Sequence, residues 1–180
     1  MKRATLGGGC FWCLEAVFRR VRGVEKVVSG YAGGHVEDPT YRQVCAGDTG
    51  HAEVVRLEYD PATVDFRTLL HIFFATHDPT TPDRQGADIG PQYRSIVLYE
   101  TERERDTAES VIAELRSDGV FEDPIVTQLE PLDRFYPAEA YHQDYHRNNP
   151  GQAYCRAVID PKVARLRASF AHLLKPDDDG

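Results

Sequence analysis

The chain has 180 residues, 21 Lys+Arg against 29 Asp+Glu for a formal net charge of −8, 41% hydrophobic residues and 4 Cys. A chain of this size buries about 70% of the surface its unfolded form exposes, which predicts one domain over 1–175 with an acidic tail at 176–180. Its apolar content excludes a disordered chain, its acidity disfavours a nucleic-acid binder, its cysteines are too sparse for a disulfide scaffold, and no apolar run approaches the roughly 18 residues of a membrane span.

The N-terminal stretch up to Gly9 has two basic residues and no apolar h-region, which predicts a cytoplasmic protein with reduced thiols. Lys2 to Leu6 reads as a strand that stops at Gly7-Gly8-Gly9. Leu14, Val17, Phe18 and Val21 recur at helical spacing, and Gly23 ends that helix. Val24 to Tyr31 is a strand, followed by a Gly/Pro loop. Ala52 to Tyr59 alternates, with Glu53, Val55, Leu57 and Tyr59 on the face predicted to meet the core. Asp60-Pro61 breaks it, and Phe66, Leu69, Leu70 and Phe73 mark a second helix. His77 to Gln92 has no period and reads as a long irregular loop of the kind that carries function. Arg94 to Tyr99 is a strand. Thr101 with Glu104 is a capping box for a helix bearing Ala108, Val111, Ile112 and Leu115 and stopping at Gly119. Ile125 to Glu130 is a strand, Ala138 to His146 a short helix, and Pro161 to Leu174 a terminal helix. This order predicts an α/β (α+β) class: a single mixed sheet with helices packed on it.

Chemistry concentrates at Cys10, which follows three glycines at a strand-to-helix turn. Unpaired N–H groups and the helix dipole there stabilise a thiolate and lower its pKa. The plainer reading is a small buried hydrophobe. Cys13 completes a Cys-x-x-Cys pair, the spacing of a redox site and of half a zinc site. Two alternatives follow. One is a general thiol-disulfide oxidoreductase using Cys10 and Cys13. The other is a zinc-binding interaction module that adds His142 or His146, although Gln143 stands where a zinc protease carries Glu. Cys45 reads as a packed thiol. Cys155, in a Pro/Gly-rich stretch, reads either as a mobile loop thiol or as a quiet strand residue. Glu53 heads an apolar row, where burial would hold its carboxyl neutral and make it a proton donor; at the strand's start it could equally be solvated. Tyr41 and Tyr93 flank the irregular loops, Asp88 lies inside one, and His51 stands near Glu53.

Four segments in order, Gly9-Cys10-Phe11-Trp12, Gly50-His51-Ala52-Glu53, Arg84 through Gly90 to Ser95, and Tyr141-His142-Gln143-Asp144-Tyr145, resemble the motifs of the A-class peptide methionine sulfoxide reductases. The resemblance runs from about residue 4 to 160. It implies a ferredoxin-like core and reduction of methionine S-sulfoxide, free or in proteins. Thioredoxin is the implied reductant, with no metal or organic cofactor. It makes Cys10 the nucleophile, Phe11 and Trp12 the walls of a pocket for the substrate methyl group, and Glu53 the acid. Tyr41 and Tyr93 would hydrogen-bond the sulfoxide oxygen, with Asp88 in the same site. The departure is at the recycling thiols. Many members have Gly where this chain has Cys13, and Cys155 aligns with a recycling position but no further Cys follows it. Cys155 is favoured over Cys13 as the thiol that resolves the sulfenic acid.

Overall fold

The alternating run at the centre of the chain becomes the middle of a sheet. The computed structural model describes residues 1–176; the rest of the predicted acidic tail lies outside the described residues. The strands are β1 (Lys2–Gly7), β2 (Val24–Ala32), β3 (Ala52–Tyr59), β4 (Arg84–Gln85), β5 (Asp88–Ile89), β6 (Ile96–Tyr99), β7 (Gln128–Pro131) and β8 (Phe135–Pro137). Six of them form one sheet in the order β7-β6-β1-β3-β2-β8, while β4 and β5 make a separate hairpin. Among the described residues only the β6–β7 pairing is parallel, so the sheet is mixed, as predicted.

The helices are α1 (Phe11–Phe18), α2 (Tyr41–Cys45), α3 (Phe66–Thr76), α4 (Glu102–Ser117), α5 (Tyr145–Asn148) and α6 (Asp160–Phe170). The path β1-α1-β2-β3-α3-β6, with sheet order β6-β1-β3-β2, is the ferredoxin-like β-α-β-β-α-β arrangement. Val55, Leu57 and Tyr59 of β3 join Leu14, Phe18, Leu69 and Phe73 in one apolar cluster beneath the helices. Successive strand residues face opposite ways, so Glu53 shares this helix-covered face. Ala52 and Val54 pack on the other face with Ala32, Ile96 and Leu98. There the Arg56 guanidinium lies 4.4 Å from the centre of the Phe135 ring.

The structure departs from the sequence reading at four places. α1 stops at Phe18, short of Val21; the chain tightens through Arg20 N–H to Val17 O and Val21 N–H to Phe18 O, and Val21 bridges to Leu174. Ala138 to His146 is not one helix. Gln143 bonds the Ser29 N–H and carbonyl and the Ala138 carbonyl, drawing the chain onto β2, and Asp144 at φ 52° turns it into α5. The long loop contains the β4–β5 hairpin and a 3-10 turn at Pro91–Tyr93. Cys155 is neither in a loop nor in a strand: it opens a π-helical turn, Cys155–Ile159, that feeds α6, and it is fully buried. α2 starts on a signal that the periodicity of the chain does not reveal, a Thr40–Gln43 capping box with both reciprocal bonds formed.

The glycines before Cys10 are floor space for their neighbours. Gly8 lies against the buried His77 ring, where an added Cβ would come within 2.8 Å. His77 donates through Nδ1 to the Phe73 carbonyl and accepts from Ser95 Oγ at 2.7 Å; burial pushes its pKa down to about 4, so it is neutral. Gly9 has φ 94°, and its Cβ would stand 2.6 Å from Gln85 Cγ. The β4–β5 hairpin therefore sits directly on Gly9. Gly9→Ala is expected to lower stability by about 1–3 kcal/mol and to push the hairpin away from Cys10. Urea unfolding measures the loss, and an unchanged midpoint would show that the hairpin yields without cost.

Candidate active site

Cys10 ends β1's run-out and caps α1, with its carbonyl accepting from the Cys13 N–H at 3.0 Å. The Trp12 N–H reaches its sulfur, as a helix N-terminus allows. The thiol is nevertheless pushed well above its usual range. Burial is the main cause, followed by the hydrogen bond with the Cys13 thiol and the Glu53 charge. This corrects the expectation of a depressed pKa at Cys10: desolvation outweighs the helix terminus. The neighbour behaves oppositely. The hydrogen bond with Cys10 brings Cys13 down to about 7 against its own burial, helped by the Lys162 charge and the Tyr154 hydroxyl. The shared hydrogen bond thus moves the two thiols in opposite directions.

Glu53 reaches the same helix end. Its Oε1 accepts from the Phe11 N–H at 3.1 Å, while its buried Oε2 has no hydrogen-bond partner. Burial raises this carboxyl to about 8 despite the Phe11 bond, so at neutral pH it carries a proton. The solvated alternative is thus excluded: Glu53 is 1% exposed. A protonated carboxyl with an unpaired oxygen is a donor without an acceptor, held beside two thiols. Tyr41 and Tyr93 flank it; both phenols are raised by burial first and the Glu53 charge second.

An aromatic frame fixes this group. The Trp12 ring stacks on Tyr145 at 3.7 Å between centroids, and its Nε1–H donates to His142 Nδ1 at 3.0 Å. The fully buried Phe11 ring lies against Tyr31, Tyr41 and His142. Glu139 orients the far side by accepting from the Tyr31 hydroxyl at 2.9 Å and the Tyr41 N–H at 3.1 Å. Beneath α1, Glu15 binds the Ser29 hydroxyl and the Asp144 N–H, and burial raises it to about 7. The motif Tyr141 to Tyr145 thus holds the tryptophan in place.

Asp88, on β5, accepts from the Tyr154 hydroxyl at 2.6 Å, and the same hydroxyl lies 3.7 Å from Cys13 Sγ. Tyr154 is a site residue that the sequence does not disclose. Its one signal is adjacency to Cys155, and nothing local reveals that it spans to Asp88. Cys45 departs from the packed-thiol reading: it is exposed at the end of α2 against the Tyr41 hydroxyl. His51 serves the loop rather than Glu53, accepting from the Gly34 N–H at 3.0 Å and bonding the Val36 carbonyl at 2.7 Å. For the zinc alternative, no group of three or more His, Cys, Asp or Glu side chains among the described residues could hold a metal ion; His142 bonds Trp12 and His146 bonds Asp160 instead.

Against this geometry, the family model described as "Peptide methionine sulfoxide reductase" matches residues 2–174. A protein from Chromobacterium violaceum named "Peptide methionine sulfoxide reductase MsrA" is 57% identical over 175 residues, covering 97% of this chain and 99% of the relative. Among solved structures, Mxr1 from Saccharomyces cerevisiae in reduced form is 35% identical with a TM-score of 0.80, covering 86% of this chain and 88% of that one. The same yeast protein in complex with Trx2 matches with a TM-score of 0.56 at 27% identity, covering 80% of this chain and 84% of that one.

Proposed function

Because the chain belongs to the peptide methionine sulfoxide reductase family, we propose that Cys10 attacks the sulfur of methionine sulfoxide while Glu53 protonates its oxygen. The reaction is the reduction of methionine (S)-sulfoxide, in proteins or free, to methionine, with thioredoxin as the external reductant. The observation that carries the site assignment is the Glu53 carboxyl, bonded through one oxygen to the N–H next to Cys10 and unpaired at the other.

The sulfoxide oxygen takes the place of the missing acceptor at Oε2 and is steadied by the Tyr41 and Tyr93 hydroxyls. Phe11 and Trp12 shield the methyl group from water. Cys10 passes its proton to the Cys13 thiolate as it attacks. Oxygen transfer leaves methionine and a Cys10 sulfenic acid. Cys13, now a thiol hydrogen-bonded to Cys10, condenses with it to a disulfide and releases water. Cys155, buried beside Cys13 and sensing its charge, then exchanges onto Cys13 and frees Cys10. Thioredoxin reduces the final disulfide. Cys13 thereby becomes the first resolving thiol and Cys155 the second. No metal or organic cofactor enters this cycle. Residues 1–175 act as one catalytic domain, and the need for a dithiol reductant favours the cytoplasm. Among the described residues, no helix is long and apolar enough to cross a membrane.

Thiol counting after one equivalent of methionine S-sulfoxide tests the cycle. Two thiols disappear, and mass spectrometry names the pair. Cys155→Ser is expected to yield one equivalent of methionine and then to stall with thioredoxin. Cycling that survives in Cys155→Ser but dies in Cys13→Ser would leave Cys13 as the sole resolving thiol.

A further inference from the structure

We propose that Tyr154 and Asp88 form a proton relay that deprotonates Cys13 as it attacks the Cys10 sulfenic acid. The inference rests on Cys13 being the first resolving thiol. Once Cys13 has taken the proton of Cys10 it is a thiol, and it sits in a dry site at 2% exposure. A thiol is a poor nucleophile, so that proton needs an exit.

Outside the cysteine pair, the Cys13 sulfur meets the Tyr154 hydroxyl at 3.7 Å. A phenol has one hydrogen to donate. Here that hydrogen is committed to Asp88 Oδ2 at 2.6 Å, the short distance of a bond to a carboxylate. Either atom of the Cys13–Tyr154 contact can donate. The hydroxyl faces the thiolate as a donor, but once Cys13 is a thiol and the phenol hydrogen is on Asp88, the path runs from Cys13 S–H to Tyr154 Oη and from Tyr154 O–H to Asp88. The far end, Asp88, is only partly buried and can return the proton to water.

Neighbouring groups hold the three parts in line. Gln152 Oε1 accepts from both the Tyr154 N–H at 2.9 Å and the Cys155 N–H at 3.3 Å, which fixes the turn that carries the phenol. The Trp12 ring meets the Tyr154 ring edge-on at 5.7 Å. Asp88 is held by the β4–β5 hairpin, whose Gln85 lies on Gly9 and bonds both the Asp78 N–H and carbonyl.

The step balances. The Cys13–Cys10 sulfur–sulfur bond forms and the Cys10 sulfur–oxygen bond breaks. The leaving oxygen takes a proton from Glu53, reprotonated after the first step, and departs as water. The Cys13 proton moves to Tyr154 while the Tyr154 proton moves to Asp88. Cys13 is oxidised and the sulfenic sulfur is reduced.

The test separates the two chemical steps in the full chain under single turnover. Methionine is quantified by chromatography, and the Cys10–Cys13 disulfide by quenching and mass spectrometry. Tyr154→Phe and Asp88→Asn are each expected to slow disulfide formation about 10²-fold relative to methionine formation, the scale of general base catalysis. Dithiothreitol, which attacks the sulfenic acid itself and so bypasses Cys13, is expected to restore multiple-turnover methionine formation in both variants; a merely distorted site would not respond. In the unsubstituted protein, the disulfide step is expected to depend on deuterium fraction along a curve, because two protons move together. An unchanged step ratio in Tyr154→Phe, or a linear or absent deuterium dependence, overturns the relay. A wild-type protein that forms methionine but joins Cys10 to Cys155 instead overturns the reading of Cys13 beneath it.

Discussion

Cys10→Ser is expected to abolish methionine formation, by at least about 10⁴-fold in single turnover, as losing a covalent nucleophile does elsewhere. Serine differs by one atom and fits the same cap position, so the variant should melt with the parent. Its hydroxyl has no thiolate-like nucleophilicity toward sulfur and cannot carry the oxygen away as a sulfenic acid. Cys13 remains in Cys10→Ser, but it stands one helical turn further on and has lost the sulfur partner that lowers it. A folded Cys10→Ser protein that turns over at the parent rate would remove Cys10 from the mechanism.

Glu53→Gln should lower kcat/KM by about 10²–10⁴-fold, the worth of a positioned proton donor. The amide preserves the acceptor for the Phe11 N–H and the side-chain volume, and removes the transferable proton. The pH profile sharpens the assignment. As the proposed acid Glu53 must be protonated, so parent activity should fall as pH rises through about 8, the value to which burial lifts it. As the proposed acceptor of the Cys10 proton, Cys13 must be ionised, so activity should rise as pH climbs through about 7. The parent curve is then a narrow bell, and Glu53→Gln loses the alkaline limb.

The same residue also carries a stability signature. A carboxyl whose folded pKa is raised binds its proton more tightly in the folded state, so its contribution is full below the unfolded value and is lost as pH rises towards the folded one. A tenfold difference in proton affinity between the two states is worth about 1.4 kcal/mol. Glu53→Gln should therefore gain stability over the parent progressively between about pH 4.5 and 8. Denaturant midpoints across that range measure it. A constant difference would mean that Glu53 is not held neutral by the fold.

Much of this is legible in the residues because it is local or periodic. The alternation of β3 puts Glu53 on the covered face, and the apolar stripe of α3 and the Thr101 cap of α4 appear where their patterns stand, although Glu104 bonds the Glu100 N–H rather than closing a capping box. Misreadings arise where a distant group overrides a local preference. Gln143 pulls a helix-like stretch onto β2, and burial reverses the influence of a helix terminus at Cys10. Tyr154 cannot be read at all, because its meaning lies in two partners 66 and 141 residues away. The packing of Trp12 on Tyr145 is of the same kind: each residue is ordinary in its own segment.

That long reach also sets an order in time. Cys10 and Cys13 lie near the start of the chain, while Tyr154 follows Cys13 by 141 residues. At ordinary synthesis rates the two leave the ribosome roughly 7–28 s apart. During that interval the thiol pair has neither its phenol nor the helix that later covers it. A nascent chain thus presents two cysteines without the frame that surrounds them, and that frame closes only when the last helix arrives. Chains interrupted before that point carry the first motif without Tyr154, Cys155 and α6.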